Sequence, residues 1–231
     1  MSDLETFKRH AAEAALDYIT DGMAIGLGSG STAEHLLQAL AGRIADGRLR
    51  NIVGVPSSER TATLARQLGI ALASLAERPQ LDIAIDGADE VDPALDLVKG
   101  RGGALLREKI VAASAHRLII IIDESKIVSQ LGERMPLPIE IVAFALPLAE
   151  RRLHELGGAP QLRHRADGAP FNTDEGHIIL DTTFGPIPDA AALSAALRAI
   201  PGVVEHGIFA GMASLAIVAG PAGVARIERQ Q

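Results

Sequence analysis

The chain has 231 residues, 48% of them hydrophobic and 22% charged, enough for a sizeable core in one large domain or in one domain with a smaller insert. Phe, Trp and Tyr make up only 3%, so that core must be Ala, Leu, Ile and Val, which favours helices packed on a parallel sheet. A net charge of -7 without a basic block argues against nucleic acid as a partner, and the absence of cysteine excludes disulfides, thiolate nucleophiles and cysteine-ligated zinc.

Residues 3–20 read as a helix with Leu4, Phe7, Ala11 and Tyr18 on one face. This stretch is mixed in charge and unlike a signal peptide, and no apolar run reaches the roughly 18–20 residues of a spanning helix, so no membrane partner and a cytoplasmic location are expected. "MAIGLG" predicts a short buried strand, followed by a glycine-rich loop and a helix from about Thr32 to Ala45. "NIVGVPSS" reads as a second strand, "ERTATLARQLG" as a helix closed by Gly69, and "IALASL" as a third strand. "LDIAI" is a fourth strand, "LDLVKG" a possible fifth, and "ALLREKIVAASA" a helix. "RLIIIID" is so apolar that it must be a central strand. Such alternation implies a mostly parallel sheet with helices on both faces.

The pattern changes near Gly132. "MPLPIEIVAF" carries strand-edge signals, "ALPLAERRLHELGG" is a helix ending at a glycine pair, and "PQLRHR" with "HIILDTTF" suggests a hairpin around a polar loop. After the helix "DAAALSAALRAI", the final "HGIFAGMASLAIVAGPAGVARI" offers two strands that return to the first sheet. The expected division is a larger domain of residues 1–131 and 207–231 with a small α+β domain of 132–206 inserted in it.

Three strand ends carry candidate chemistry. "GLGSGST", Gly26 to Thr32, lies between a strand and a helix; its glycines permit positive φ, and amides at a helix start suit a phosphate. It also reads as a plain glycine turn with an N-cap. Ser31 stands where a dinucleotide fingerprint needs glycine, and no Gly-Lys-Ser/Thr follows for a nucleotide phosphate loop. "DGADEVD" puts Asp86 and Asp89 at a strand's carboxyl end, where open α/β sheets bind ligands, while Glu90 and Asp92 are read as facing solvent or capping the turn. A solvated acidic loop or an oxygen-ligand Mg²⁺ site fits the same spacing. In "VKGRGGALLREKI", Lys99 ends a strand and Glu108 shares a helix face with Leu105 and Ala112, small apolar company that can raise a carboxylate's proton affinity as a general base requires. By spacing alone, Arg107-Glu108-Lys109 also reads as a charged surface turn. "DESK" adds Lys126 at a further strand end, a cation for phosphate or a solvated lysine. The seven histidines show no ligand pair and are read as surface or capping residues. Together these groups suit acid/base chemistry on a small phosphorylated hydroxy-carbonyl compound.

"GLGSGSTAEHL", "DGADEVD", "KGRGGALLREKI" and "DESK" resemble, in order and spacing, the motifs of ribose-5-phosphate isomerase, type A, and "GGAPQLR", "GHIILD" and "PGVVEHGIF" extend the resemblance to nearly the whole chain. The resemblance implies a Rossmann-like α/β domain carrying a smaller α+β, ferredoxin-like domain. It implies cofactor-free, metal-free interconversion of ribose 5-phosphate and ribulose 5-phosphate in the non-oxidative pentose phosphate pathway, usually by a homodimer or tetramer. Glu108 would move the proton between C1 and C2 through an enediolate, Asp86 and Asp89 would bind sugar hydroxyls, and Lys99 would stabilise charge on oxygen. Ser29, Gly30, Ser31, Thr32 and Lys126 would hold the phosphate, with Lys8 from the first helix, and Gly87, Ala88, Gly100, Arg101 and Gly102 would line the substrate. Arg101 departs from a stretch often all glycine, and His177 stands where asparagine is usual.

Overall fold

A computed structural model describes residues 3–229 of the chain. The helices and strands begin with α1 (Asp3–Ala15), β1 (Ala24–Leu27), α2 (Ser31–Ala45), β2 (Val53–Pro56), α3 (Glu59–Gln67), β3 (Ile83–Asp86), β4 (Glu90–Val91) and β5 (Leu97–Val98). They continue with α4 (Leu105–Ala113), β6 (Leu118–Asp123), β7 (Leu137–Ile141), α5 (Leu146–Glu155), β8 (Ala159–Leu162), β9 (Ile178–Thr183) and α6 (Ala190–Arg198). The last strands are β10 (Val203–His206), β11 (Ile208–Phe209), β12 (Ala213–Gly220) and β13 (Gly223–Glu228). The described residues form two compact units: residues up to Ala88 with Arg107–Lys126 and from Met212 onward, and Asp89–Leu106 with Ile127–Gly211.

In the first unit, six strands run in the order β13-β12-β6-β3-β1-β2, all pairs parallel except β12 with β13. Side chains alternate between the faces of such a sheet. Ile25, Leu27, Ile85, Ile119, Ile121 and Ile217 therefore share one face, where they form a core with Ala11 and Ala15 of α1 and Leu36 and Leu40 of α2. Gly26 and Ala84 face the other way, and their small size lets Val111 of α4 close on the sheet: a Cβ at Gly26 would lie 2.5 Å from Val111 Cγ1. Helices thus cover both faces, and the strand order reverses between β1 and β3, the position at which open α/β sheets place their ligands. The mostly parallel α/β sheet predicted from the sequence is what forms, and "RLIIIID" is its buried β6.

The second unit carries β7-α5-β8-β9-α6-β10, an antiparallel sheet in the order β10-β7-β9-β8, the pattern of a ferredoxin-like fold. Leu137, Ile139, Ile141 and Leu180 of its strands pack on Leu153 of α5 and Leu197 of α6. The predicted hairpin is β8 with β9. Asp89–Leu106, read in sequence as part of the larger domain, belongs to this compact unit.

Two strand expectations are corrected. "IALASL" forms no strand, only a bridge of Leu72 to Gly54 beside the outer strand β2, and the chain then turns as the Glu77 carboxylate accepts from the Ser74 amide at 2.8 Å. "LDLVKG" does not join the large sheet: its β5 is the middle of a three-stranded antiparallel sheet with β4 and β11. Those partners have only two residues each, too few for a period to show. Among the described residues no helix is long and apolar enough to cross a membrane.

Ile121 is fully buried on β6 whereas Val224 on β13 is 37% exposed. Ile121→Ala should lower unfolding free energy by about 2–5 kcal/mol in urea titrations. Val224→Ala should change it by about 0.5 kcal/mol or less.

Candidate functional site

In the first unit the loop after β1 is built around one carboxylate. Asp86, the last residue of β3, is 4% exposed, and its Oδ1 accepts from the amides of Ser29 at 2.9 Å and Gly87 at 2.7 Å. Hydrogen bonds to an ionised acceptor are the strong ones, and a buried carboxylate needs them. Gly28 donates to Ile85 O at 3.0 Å, so the loop leaves β1 hard against β3; a Cβ on Gly28 would lie 2.6 Å from Asp86 Cα. Glycine is required there for lack of space.

Gly30 caps α2, and Ser31 and Thr32 form its first turn, whose amides lack intrahelical acceptors and lie at the positive end of the helix dipole. That is the arrangement a phosphate needs. Ser29 behaves differently from its neighbours. Its hydroxyl is 2.9 Å from those of Ser57 and Ser58 and 3.1 Å from that of Thr61, and Thr61 donates to Gly28 O at 2.9 Å. Ser58 is also the N-cap of α3, accepting from the Thr61 amide at 3.1 Å. The loop is therefore bolted to α3 by hydroxyls.

Glu108 lies in the first turn of α4 and is 6% exposed; Lys109 is buried beside it. The surface-turn reading of Arg107-Glu108-Lys109 fails for both. Glu108 precedes Val111 by three residues, hence shares the helix face that Val111 sets on β1. Arg107 pairs with Glu59 at 2.7 Å, and its guanidinium holds that carboxyl below the usual range. Lys126 is half-buried at the end of a short 3-10 turn after β6, which Asp123 closes by accepting from the Ser125 amide at 3.0 Å. Lys8 is matched at 2.6 Å by Glu5, whose carboxyl also meets His35 Nε2 at 3.0 Å and is held low by both, Lys8 first.

In the second unit Asp89, Lys99 and Arg101 come together. The Asp89 amide donates to Val98 O at 2.8 Å, and its Oδ2 accepts from the Arg101 amide at 2.9 Å. Lys99 is 3% exposed; its amide donates to Gly207 O at 2.9 Å and its Nζ lies 5.5 Å from the centroid of the Phe209 ring, a cation-π distance. Asp89, Arg101, Pro138, Arg163 and Asp181 line a cavity of about 240 Å³. A larger cavity of about 570 Å³ in the first unit is lined by Val55, Ser58, Leu72 and Arg107, and by none of the residues singled out from sequence.

With that geometry in place, a family model described as Ribose 5-phosphate isomerase A (phosphoriboisomerase A) matches residues 53–223. The ribose-5-phosphate isomerase A of Roseiflexus castenholzii is 61% identical over 226 residues, covering 98% of this chain and 97% of that one. This chain belongs to the ribose-5-phosphate isomerase A family. Membership makes it an isomerase, as the ordered motifs imply. A D-ribose-5-phosphate isomerase solved in complex with phospho-erythronic acid superposes with a TM-score of 0.96 at 41% identity, over 98% of this chain and 99% of that one. The ribose 5-phosphate isomerase of Plasmodium falciparum gives 0.95 at 38%, over 99% and 100%.

Several structural residues escaped the sequence reading. Glu90 does not face solvent: it is 1% exposed and accepts from the amides of Gly132, Arg134 and Met135 at 2.5, 2.7 and 2.9 Å. Asp92 does cap its own turn, accepting from the amides of Ala94 and Asp96. His206, read as a surface or capping residue, is buried: it lies 3.1 Å from the Ser194 hydroxyl, and its Nδ1 accepts from the Ile208 amide at 3.2 Å. Arg163 and Asp181 end the motifs "GGAPQLR" and "GHIILD", which carried the family resemblance but gave neither residue a role. The hydroxyls of Ser57, Ser58 and Thr61 were visible as "SSERT" but suggest only a helix cap.

Because the space at Gly28 is occupied by backbone, Gly28→Ala should destabilise the fold by about 1–3 kcal/mol, the cost of overpacking, in denaturant titrations. Ala at Gly47, where the added Cβ meets open space at φ +75°, should show only the strain of that conformation.

Proposed function

We propose that the chain interconverts D-ribose 5-phosphate and D-ribulose 5-phosphate through an enediolate, with Glu108 as the base. The observation that carries this reading is Glu108 itself: a carboxylate removed from water on α4, in the "REK" motif of an isomerase family, rather than a surface acid. The phospho-erythronic acid bound by a solved relative adds support, since a phosphorylated hydroxy acid matches the phosphate and the anionic oxygen pair of such an intermediate.

The steps balance without oxidant or reductant. Glu108 takes the proton from C2 of the open-chain aldehyde, the electron pair forms the C1–C2 double bond, and charge moves to O1, where the Lys99 ammonium stabilises it. A proton passes from O2 to O1 with Asp86 and Asp89 binding the hydroxyls, and Glu108 returns its proton to C1 as the C2 carbonyl forms. Gly30, Ser31, Thr32 and Lys126 hold the phosphate, with Ser29 setting the loop and Lys8 joining on release from Glu5. Gly87, Ala88, Gly100, Arg101 and Gly102 supply the close backbone. With this reading go a role in the non-oxidative pentose phosphate pathway, a cytoplasmic location and assembly as a homodimer or tetramer, all as the family resemblance implies.

Glu108→Gln should lower turnover by roughly 10²–10⁴-fold while calorimetry still registers ribose 5-phosphate binding. Turnover near that of the unaltered protein would remove Glu108 as the base.

In D₂O the unaltered protein should yield ribulose 5-phosphate carrying deuterium at C1. Product free of deuterium argues for a hydride shift instead. Chelation should leave the rate unchanged; loss restored by a divalent ion would assign a step to metal.

A further inference from the structure

The segment Lys99–Gly103 carries one proposed catalytic cation and touches Asp89, yet it has few side chains with which to hold itself. Gly100 and Gly103 take φ of +107° and +84°, conformations open to glycine and costly to fix in a flexible loop. The constraint comes from elsewhere in the second unit. Arg163, just after β8, donates through Nη1 to the carbonyl oxygens of Gly100 at 3.1 Å and Arg101 at 3.0 Å. Its Nε donates to Asp181 Oδ2 at 2.8 Å and its Nη2 to Asp181 Oδ1, a two-pronged pair with β9. Phe171 stacks near the guanidinium at 5.7 Å from its ring centroid, and the same ring fills the space beside Gly103, where a Cβ would lie 2.5 Å from Phe171 Cε1.

The peptide between Gly100 and Arg101 is thus gripped on both edges. Its carbonyl oxygen accepts from Arg163 and its N–H donates to Asp89 Oδ2 at 2.9 Å. A planar trans peptide cannot turn one edge without the other. We propose that Arg163, locked by Asp181, is a positioning residue for the isomerisation: it orients this peptide, and through it the Asp89 carboxylate and the adjoining Lys99. The inference rests on the roles assigned above to Asp89 and Lys99. A lysine at 163 would keep the charge but cannot span a carboxylate and two carbonyls, because it lacks the fixed fork of a guanidinium.

The test uses Arg163→Ala, Arg163→Lys and Asp181→Asn, the last two being mild enough to keep the fold. With ribose 5-phosphate, each should lose roughly tenfold to hundredfold in kcat with a much smaller change in KM, the scale set by misplacing a reacting group by about 1 Å. The double variant Arg163→Ala/Asp181→Asn should be no slower than Arg163→Ala, because the two act as one unit. Amide hydrogen exchange at Arg101 should quicken in all three single variants, while β7 and β9 keep their protection. Turnover in Arg163→Ala within about twofold of the unaltered protein overturns the proposal, as does unchanged exchange at Arg101, or a kcat loss matched by lost protection in β7 and β9. If the unaltered protein does not isomerise ribose 5-phosphate, the proposed function is what fails, and exchange at Arg101 still decides whether the clamp exists.

Discussion

The Asp86 carboxylate draws two backbone amides, those of Ser29 and Gly87, onto a single oxygen, and it does so almost out of reach of water. Those amides belong to segments leaving neighbouring strands, so one charge fixes where β1 stops, how the next loop begins and where β3 turns away. Gly28 follows from that constraint, since the loop must pass against the Asp86 backbone. The placement of the first turn of α2 follows in turn. Leaving such a carboxylate without its donors would cost more than most surface contacts contribute, so the arrangement is tightly determined.

An acidic chain can bind an anion because binding is decided locally. Several cations of the first unit are already matched: Lys8 by Glu5, Arg60 by Glu34, Arg107 by Glu59. Exposed pairs of this kind contribute little to stability, but they do withdraw charge from solvent. The α2 end adds oriented backbone dipole, which no net-charge count reports. In the second unit the guanidinium of Arg163 is committed in the same way, to Asp181 and to two carbonyls, and its effect is geometric.

How much could be read from the sequence depended on how locally each feature is determined. β6 was plain because five consecutive buried aliphatic positions leave no other structure available, and α2 because a glycine loop precedes a regular apolar stripe. Asp86 was legible as the charged end of an apolar strand. "IALASL" misled because a short apolar run looks like a strand, yet a strand needs a neighbour, and here the sheet offers only one bridge. Glu90 misled for the opposite reason: its three amide partners lie 42 to 45 residues further along the chain, and no window around it contains them. Arg163 and Asp181 are 18 residues apart, and Arg163 grips carbonyls more than 60 residues earlier, so only the fold shows what they hold.

The hydroxyls around Ser29 have a direction as well as a position. Ser29 donates to Ser58, Ser58 to Thr61, and Thr61 to the carbonyl oxygen of Gly28. Each hydroxyl has one proton to give. The chain of donors runs one way and ends on an acceptor that cannot pass anything on. That direction runs from the loop toward α3 and back to the loop's own backbone. The Ser29 side chain serves as the loop's inner rivet, tying the start of α2 to the start of α3.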